Sequence, residues 1–534
     1  MKRYEFTAGV KFNLVAASLI IFAVLAVYLP TLKYDFVGLD DDILITDKIE
    51  TLSDLSKIPS YFTKTAFYKK TDKIYRPLLT ISFASDAFIM KGSPFIYHLT
   101  NIILHILCCI CLFIFLKMLG LDKVISLLCA LIFASHPAFA QAVAWIPGRN
   151  DTLLALWGTL SCIFLLRYAQ DKKQIFFALS ALFYAAALFT KETAVILFPV
   201  YFMLLFVFRR DILNKRIIVK ILSVNLVITA IYLAARFMAL SNTLSNMTVT
   251  TSTEDIFKAL PATIKYLEYF LIPANIRIFQ PLIQFDYNTA LTVVLICVFA
   301  VLSFYLKNTR KQVLLFGILW FFIFLLPTYV MHSNQYYAHR LYFAAFGLII
   351  VFIEVITALL NKYPITKKYV YAALVCVIVL FGVFTRLSLE KFENKRMFWA
   401  CAVSETPESE IARQTLGVCF MEAGNYEEAE KELLKALQIS PKSGLVYSNL
   451  GALYLETGRL KEAEAFFLTA LNYNKYDDVS YYNLAQIYFI QGKDQLALEN
   501  IEKALTISPE PRWYKDFFNK VQSRMHADQS QTPG

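Results

Sequence analysis

Charge is scarce in this 534-residue chain: Asp, Glu, Lys and Arg make up 17% of it, against about 25% in an ordinary soluble protein. Glycine (16) and proline (17) are scarce too, which excludes the fibrous and low-complexity classes that need them in high proportion. Only six histidines occur, and the nine cysteines include no pair of CxxC motifs. Neither a zinc ribbon nor a disulfide framework is therefore encoded. Seven cysteines (Cys108, Cys109, Cys111, Cys129, Cys162, Cys297 and Cys376) sit inside apolar runs, where Cys serves as a small hydrophobe. Apolar residues make up the difference, at 57% of the chain with a mean hydropathy of +0.52.

The shortage of charge is uneven. Residues 1–386 hold 36 basic and 20 acidic residues, a net +16, whereas residues 387–534 hold 16 basic and 21 acidic ones, a net −5. The first part has the composition of a membrane domain and the second that of a soluble one. The positive excess belongs to the membrane part, so it is not the basic footprint of a nucleic-acid binder.

A bilayer crossing takes about 20 mostly apolar residues. Eleven stretches qualify, roughly 13–30, 95–117, 123–142, 152–168, 174–190, 192–208, 217–240, 289–306, 312–330, 341–360 and 370–386. The first is too long for the core of a signal peptide, and YLPTLKYDF after it offers no small-residue cleavage site, so it reads as a retained anchor. The stretch 257–273 carries Lys258, Lys265 and Glu268 and reads as a helix lying along the interface. Lys and Arg gather in alternate connections, at Lys2, Arg3 and Lys11, at 117–123, 167–173, 209–220, 307–311 and 362–368. The opposite short loops hold only Arg149, Lys191 and Arg340, and 241–256 holds no basic residue. By the positive-inside rule the amino terminus is cytoplasmic, and an odd number of crossings puts the tail outside.

The tail repeats with a period of 34 residues: Leu416, Leu450 and Leu484 correspond, as do Gly424, Gly458 and Gly492, Ala429, Ala463 and Ala497, and Ala436, Ala470 and Ala504, with Pro441 matching Pro509. This is the spacing of tetratricopeptide (TPR) helix pairs, in which small residues let paired helices approach and Gly turns the chain. Residues 511–523 supply a capping helix. The fold class is all-α: a polytopic membrane bundle at 1–386, a linker at 387–408, an α-solenoid of about three TPRs plus cap at 409–523, and a disordered tail at 524–534.

Chemistry can sit in few places. The outer loop 31–94 begins with Asp40, Asp41 and Asp42 close to the membrane surface; crowded carboxylates raise one another's pKa and suit a general base or a metal site, as well as a solvated turn. His98, Asn101 and His105 share one helix face and His136 precedes Pro137, at depths where polar groups face a bundle interior or a cavity. Arg149 in PGRND, Lys191 in FTKETA and Arg340 in YYAHRLY stand at the outer interface against the charge trend, with Glu192 and His339 beside them as further polar candidates for a cavity. Cations there serve a lipid-linked phosphate or act as snorkelling anchors.

FVGLDDD, then YRPLLTISFASDAFIMKGSPFIYHLTNIILH (75–105), SHPAFAQAVAWIPGRNDTLLAL (135–156), FTKETA (189–194) and YYAHRLYFAAFGL (336–348) occur in that order and are followed by TPRs. This string resembles the membrane-plus-TPR glycosyltransferases of the GT-C superfamily, which are similar to protein O-mannosyltransferases and have bacterial relatives. The resemblance implies a membrane enzyme that moves a sugar, a mannose-like hexose, from a polyprenyl-phosphate donor with inversion. The acceptor would be extracytoplasmic, a protein Ser/Thr hydroxyl or a glycan. It implies a base at Asp40, an orienting partner at Asp41, and Arg76, Arg149, Lys191 and Arg340 as ligands of the departing lipid phosphate. No cofactor is demanded, and a divalent metal at Asp40, Asp41 and Asp42 is left open. The TPRs would recruit the acceptor or another protein, and nucleic acid has no place among the partners. The setting is the bacterial cytoplasmic membrane, or the ER membrane of a eukaryote. Where relatives read close to HPVHVESVAWISGRKD, this chain has Phe139 and Gln141 in place of the second His and the Glu, and Leu39 where an aromatic is common. Rival readings are a non-catalytic TPR scaffold for envelope assembly and a transporter or flippase of lipid-linked sugar.

Overall fold

Prolines and isolated lysines decide where the helices break. The computed structural model describes residues 2–66, 74–241, 261–274, 276–281, 286–306, 308–330, 335–508 and 511–531; Lys258, most of the loop 241–256, Lys307, Pro509 and the last three residues lie outside them. The chain divides into two units, Met1–Asn394 and Lys395–Gly534.

The first unit is a multi-pass membrane bundle. Among the described residues eight helices are long and apolar enough to cross a bilayer: Val10–Lys33, Pro94–Met118, Ile146–Asp171, Lys215–Leu240, Tyr287–Tyr305, Lys311–Tyr329, Ala338–Lys362 and Pro364–Phe392. The expected count of eleven is corrected at three places. The stretch 123–142 is two helices, Lys123–Ser135 and Pro137–Ala144, bent by 52°. His136 between them is extended (φ −78°, ψ 127°), as a residue before proline prefers. Counted as one, they make a ninth span. The stretches 174–190 and 192–208 are helices of at most 17 residues, separated because Lys191 is extended (φ −154°, ψ 129°).

The stretch 257–273 contains the helix Ala262–Leu271. Its charges face inward: Lys265 and Glu268 are buried and pair at 2.9 Å, and Lys265 also reaches Asp286 at 3.3 Å. Apolar packing holds the bundle elsewhere. A Cβ on Gly317 would lie 2.6 Å from the Gly347 carbonyl, so these two helices approach backbone to backbone, as small residues allow in membranes. A two-residue antiparallel ladder pairs Gln280–Pro281 with Gln335–Tyr336.

The second unit is a stack of helix pairs: Glu410–Glu422 with Tyr426–Ile439, Gly444–Glu456 with Leu460–Tyr473, Asp478–Ile490 with Asp494–Ile507, then Arg512–Gln531. A Cβ on Gly451 would lie 2.8 Å from the Phe467 ring, and Gly458 turns the chain at φ +77°. Two expected boundaries move. The linker 387–408 contains the helix Lys395–Glu405, ordered because Phe398, Trp399 and Ala402 are buried. The tail expected to be disordered from 524 is helical through Gln531. Arg524 anchors it, pairing with Asp494 (Nε–Oδ2 2.8 Å) and donating to the Phe489 carbonyl at 2.6 Å.

Candidate active site

Three interruptions of helix meet around one cavity of about 240 Å³ in the first unit. The first precedes Asp40: Gly38 (φ +76°) and Leu39 (φ +66°) are consecutive left-handed residues, and Leu39 pays steric strain that glycine would not. They start the short helix Asp40–Leu44. The second is the break at Lys191. The third is the 3₁₀ turn Ala338–Arg340 that opens Leu341–Lys362, placed just after the two-stranded ladder. The cavity is lined by Leu39, Asp40, Arg76, Trp145, Asn150, Asp151, Lys191, Glu192, Thr193, Tyr337, His339 and Arg340, with Leu154, Phe324, Pro327 and Phe343 as an apolar wall.

The charges in the cavity are not equivalent. Arg76 makes a two-point pair with Glu192, Nη2–Oε1 2.7 Å and Nε–Oε2 3.1 Å. Lys191 Nζ donates to Asp151 at 2.7 Å and to Asn150 at 2.9 Å. His339 Nε2 stands 3.9 Å from Asp151, while the His339 backbone N–H donates to Gln141 Oε1 at 3.4 Å. The Gln141 that departs from the relatives' Glu thus supports this turn. Arg340 lies over the Tyr337 ring at 5.5 Å and, among the described residues, pairs with no carboxylate. Among the described residues, five buried polar atoms on the cavity wall lack a hydrogen-bond partner: Trp145 Nε1, Asp151 Oδ2, Thr193 Oγ1, His339 Nδ1 and Arg340 Nη1. Buried polar groups left unpaired are costly, so their convergence marks a place for a polar ligand.

The acidic triplet separates. Asp40 lines the cavity; burial raises its carboxyl above the usual range, and Arg76 offsets part of that. Asp41 is buried beside the cavity rather than in it. Its Oδ2 accepts from the Val37 N–H at 3.1 Å, and burial pushes its pKa well up, against the Val37 bond and with the help of Asp40, Asp42 and Asp35. Asp42 accepts from Thr46 at 3.4 Å. Among the described residues no three His, Cys, Asp or Glu side chains gather to hold a metal.

The other sequence candidates lie outside the cavity lining. Arg149 is sealed from solvent. It pairs with Asp86 at 2.6 Å and donates to Asn101 (2.7 Å), the Ser82 carbonyl (3.1 Å) and the Tyr97 carbonyl (2.9 Å), so its guanidinium is committed to the bundle and not offered to a phosphate. Asn101 also donates to the Val143 carbonyl at 3.0 Å. His105 bridges Tyr342 (2.6 Å) and the Ala134 carbonyl (3.2 Å), and His136 joins the Phe270 carbonyl (3.0 Å) to the Ala138 N–H (3.2 Å). These are interhelical ties. His98 is buried against Tyr34, ring centroids 6.3 Å apart.

Sequence reasoning missed Asp151, Asp86 and Trp145. The signal for the acids was present: an Asp inside an apolar run needs a cation, and Arg149 and Lys191 were the cations in reach.

With this geometry in hand, comparison with known proteins is informative. Residues 86–234 match the family model for dolichyl-phosphate-mannose-protein mannosyltransferase, and 408–475 and 443–510 match that for the tetratricopeptide repeat. Protein O-mannosyl-transferase TMTC1 of Mus musculus is 33% identical over 150 residues, 24% of this chain and 15% of that protein. Protein O-mannosyl-transferase TMTC2 of Homo sapiens is 32% identical over 152 residues, 28% of this chain and 18% of that protein. The chain thus spans less than a fifth of the length of these relatives. The solved first TPR domain of human RPAP3 is 17% identical, with TM-score 0.22, over 24% of this chain and 99% of that one. A segment similar to the mannosyltransferase family model inside an all-α membrane bundle, followed in the same chain by segments similar to the tetratricopeptide model, agrees with the resemblance that the ordered motifs carry.

Proposed function

We propose that this chain is a membrane glycosyltransferase that moves a mannose-like hexose from a polyprenyl-phosphate donor to an extracytoplasmic hydroxyl, a protein Ser or Thr, with inversion. The observation that carries this reading is the cavity itself: the Asp40 carboxylate, an Arg340 guanidinium that pairs with no carboxylate among the described residues, and five polar atoms without a hydrogen-bond partner among them, around one space with an apolar wall. A sugar phosphate on a lipid has matching needs, with hydroxyls for the polar atoms, an anion for Arg340 and an isoprenoid for Leu154, Phe324 and Phe343.

In this reading Asp40 accepts the acceptor hydroxyl's proton as that oxygen bonds to the anomeric carbon. The bond from that carbon to the phosphate oxygen breaks on the opposite face, and the lipid phosphate leaves with the electron pair. Arg340 meets the growing negative charge with donors already in place. Asp41, held by the Val37 N–H, fixes the turn that aims Asp40, and Arg76 and Lys191 keep Glu192 and Asp151 in position. The Lys/Arg distribution, with the bent pair counted as a ninth crossing, supports a cytoplasmic amino terminus and an outer tail, and in this reading the TPRs recruit the acceptor protein.

The test is transfer by the detergent-solubilised full chain from a panel of polyprenyl-phosphate sugars, with mass spectrometry and anomeric analysis of the products. Transfer from one donor with inverted configuration, lost in Asp40→Asn while the protein stays folded, is expected. Undiminished transfer in Asp40→Asn, or no transfer from any donor, refutes the reading.

A further inference from the structure

The membrane unit holds a second cavity, of about 420 Å³, whose lining shares no residue with that of Asp40. It combines three apolar side chains, Leu119, Val207 and Phe208, with the polar Arg310, Lys311 and Gln312. Leu119 follows the helix Pro94–Met118, Phe208 ends the helix Leu197–Phe208, and Arg310 precedes the helix Lys311–Val330. Three helix ends thus border one space. Phe208 meets Phe316 edge to face, ring centroids 5.3 Å apart, which ties two of them together.

The helix Lys311–Val330 connects the two cavities. Phe324, Pro327 and Thr328 near its end line the cavity of Asp40, and at 1.5 Å per residue Lys311 lies about 24 Å from Pro327 along the axis. A hydrocarbon core is about 30 Å thick, so the cavities belong to opposite leaflets. A lipid bound beside Asp40 is therefore not the occupant of the second cavity. The Lys/Arg distribution reads the second one as cytoplasmic.

The charges around it are unequal. Within four residues of the lining in sequence stand Lys117, Lys123, Arg209, Arg210, Arg310 and Lys311 against Asp122 and Asp211, with Lys307 outside the described residues. Both acids are engaged. Asp122 accepts from the Val124 and Ile125 N–H groups at 2.9 Å, and Asp211 takes a two-point pair from Arg209 at 3.0 Å. Buried Glu354 reaches the rim from a neighbouring helix, but residue 310 occupies both its oxygens: the backbone N–H donates to Oε1 at 2.7 Å, and Nε and Nη2 donate to Oε2 at 3.0 and 2.7 Å. Lys311 lines the cavity and, among the described residues, pairs with no carboxylate. A fixed guanidinium, an available ammonium and an apolar wall at the end of a membrane helix are complementary to a lipid phosphate with its acyl chains.

We infer that this cavity binds the phosphate headgroup of an anionic phospholipid in the leaflet opposite the Asp40 cavity. Lys311 is the counter-ion of the phosphate, and Leu119, Val207 and Phe208 receive the first carbons of the acyl chains. The inference does not depend on the transfer reaction.

The experiment titrates the delipidated full chain in detergent with dioleoyl phosphatidylglycerol or dioleoyl phosphatidylcholine and reads the first bound lipid by native mass spectrometry. Tighter binding of phosphatidylglycerol is expected. Lys311→Gln and Gln312→Glu should each weaken it about fivefold, the effect of one charge near an anionic membrane surface, with the unfolding midpoint unchanged. Lys368→Gln, which removes a cation from the same membrane face outside the cavity, should leave it unaltered. Equal binding of the two lipids, a loss in Lys368→Gln as large as in Lys311→Gln, undiminished binding in both folded cavity variants, or displacement of the lipid by equimolar inorganic phosphate overturns the inference.

Discussion

Arg76 and Glu192 lie 116 residues apart in sequence and close on each other through two hydrogen bonds of 2.7 and 3.1 Å. The pair ties the loop that delivers Asp40 to the break between the two short helices of the bundle, so two of the three interruptions around the cavity share one fork. It also neutralises Arg76, which therefore acts mainly by holding the wall in place. An Arg–carboxylate fork carries geometry that Lys cannot copy.

Arg76→Lys is accordingly expected to lower transfer, and Arg76→Glu combined with Glu192→Arg to recover part of what either reversal alone loses. Initial rates of the four proteins at one donor concentration form the double-mutant cycle that checks it. Additive losses would show that the two side chains act independently.

Among the described residues Arg340, unlike Arg76 and Lys191, pairs with no carboxylate, so in the proposed reaction its charge is available to a leaving phosphate. Arg340→Gln is expected to reduce the rate at saturating donor by about a hundredfold, the scale seen when one preorganised donor to a developing anion is removed. Arg340→Lys should lie between the two. A change confined to KM would instead assign Arg340 to ground-state binding.

Arg149 has the opposite character. It is fully buried and paired with Asp86, and removing one partner of such a pair costs about 3–5 kcal/mol because the other charge is left uncompensated. Arg149→Ala is therefore expected to lower the unfolding midpoint sharply in detergent, and Asp86→Ala to do the same. Normal stability with lost transfer would return Arg149 to the site.

Much of this was legible in the sequence, and the rest failed for identifiable reasons. Hydropathy located every span, but it does not register that Pro137 bends one of them or that Lys191 stops another, because each break is one residue wide. The 34-residue period fixed the TPR register, since each Gly and Ala there answers a local steric need. Among site residues, exposure to water could not be inferred: Arg149 and Arg340 both read as lone outer cations, and only the fold reveals that Asp86, in the helix Pro77–Met90, reaches the first and that no carboxylate among the described residues reaches the second. Asp40 and Asp41 are adjacent letters, yet the left-handed Gly38–Leu39 turn sends one to the cavity and the other to the Val37 N–H.

The position of Asp40 gives activity and stability opposite dependences on pH. In the proposed reaction the working form is the carboxylate, and burial raises the folded pKa above its ordinary value despite Arg76 nearby. Transfer is therefore lost as pH falls through that raised pKa, so the acid limb of the rate profile should lie above the usual Asp value of about 3.9, and higher still in a folded Arg76→Met. For stability, the folded chain holds the proton more tightly than the unfolded chain. The contribution of Asp40 is thus favourable below the unfolded pKa and is lost as pH rises through the folded one. Above the folded pKa the ionised, desolvated carboxylate costs stability, as a tuned base does. Asp40→Asn is then expected to raise the unfolding midpoint at neutral pH while abolishing transfer, with the gain shrinking as the pH is lowered. Unfolding midpoints of both proteins across the pH range, measured beside the rate profile of the unsubstituted chain, test this, and an Asn variant less stable at neutral pH would contradict it.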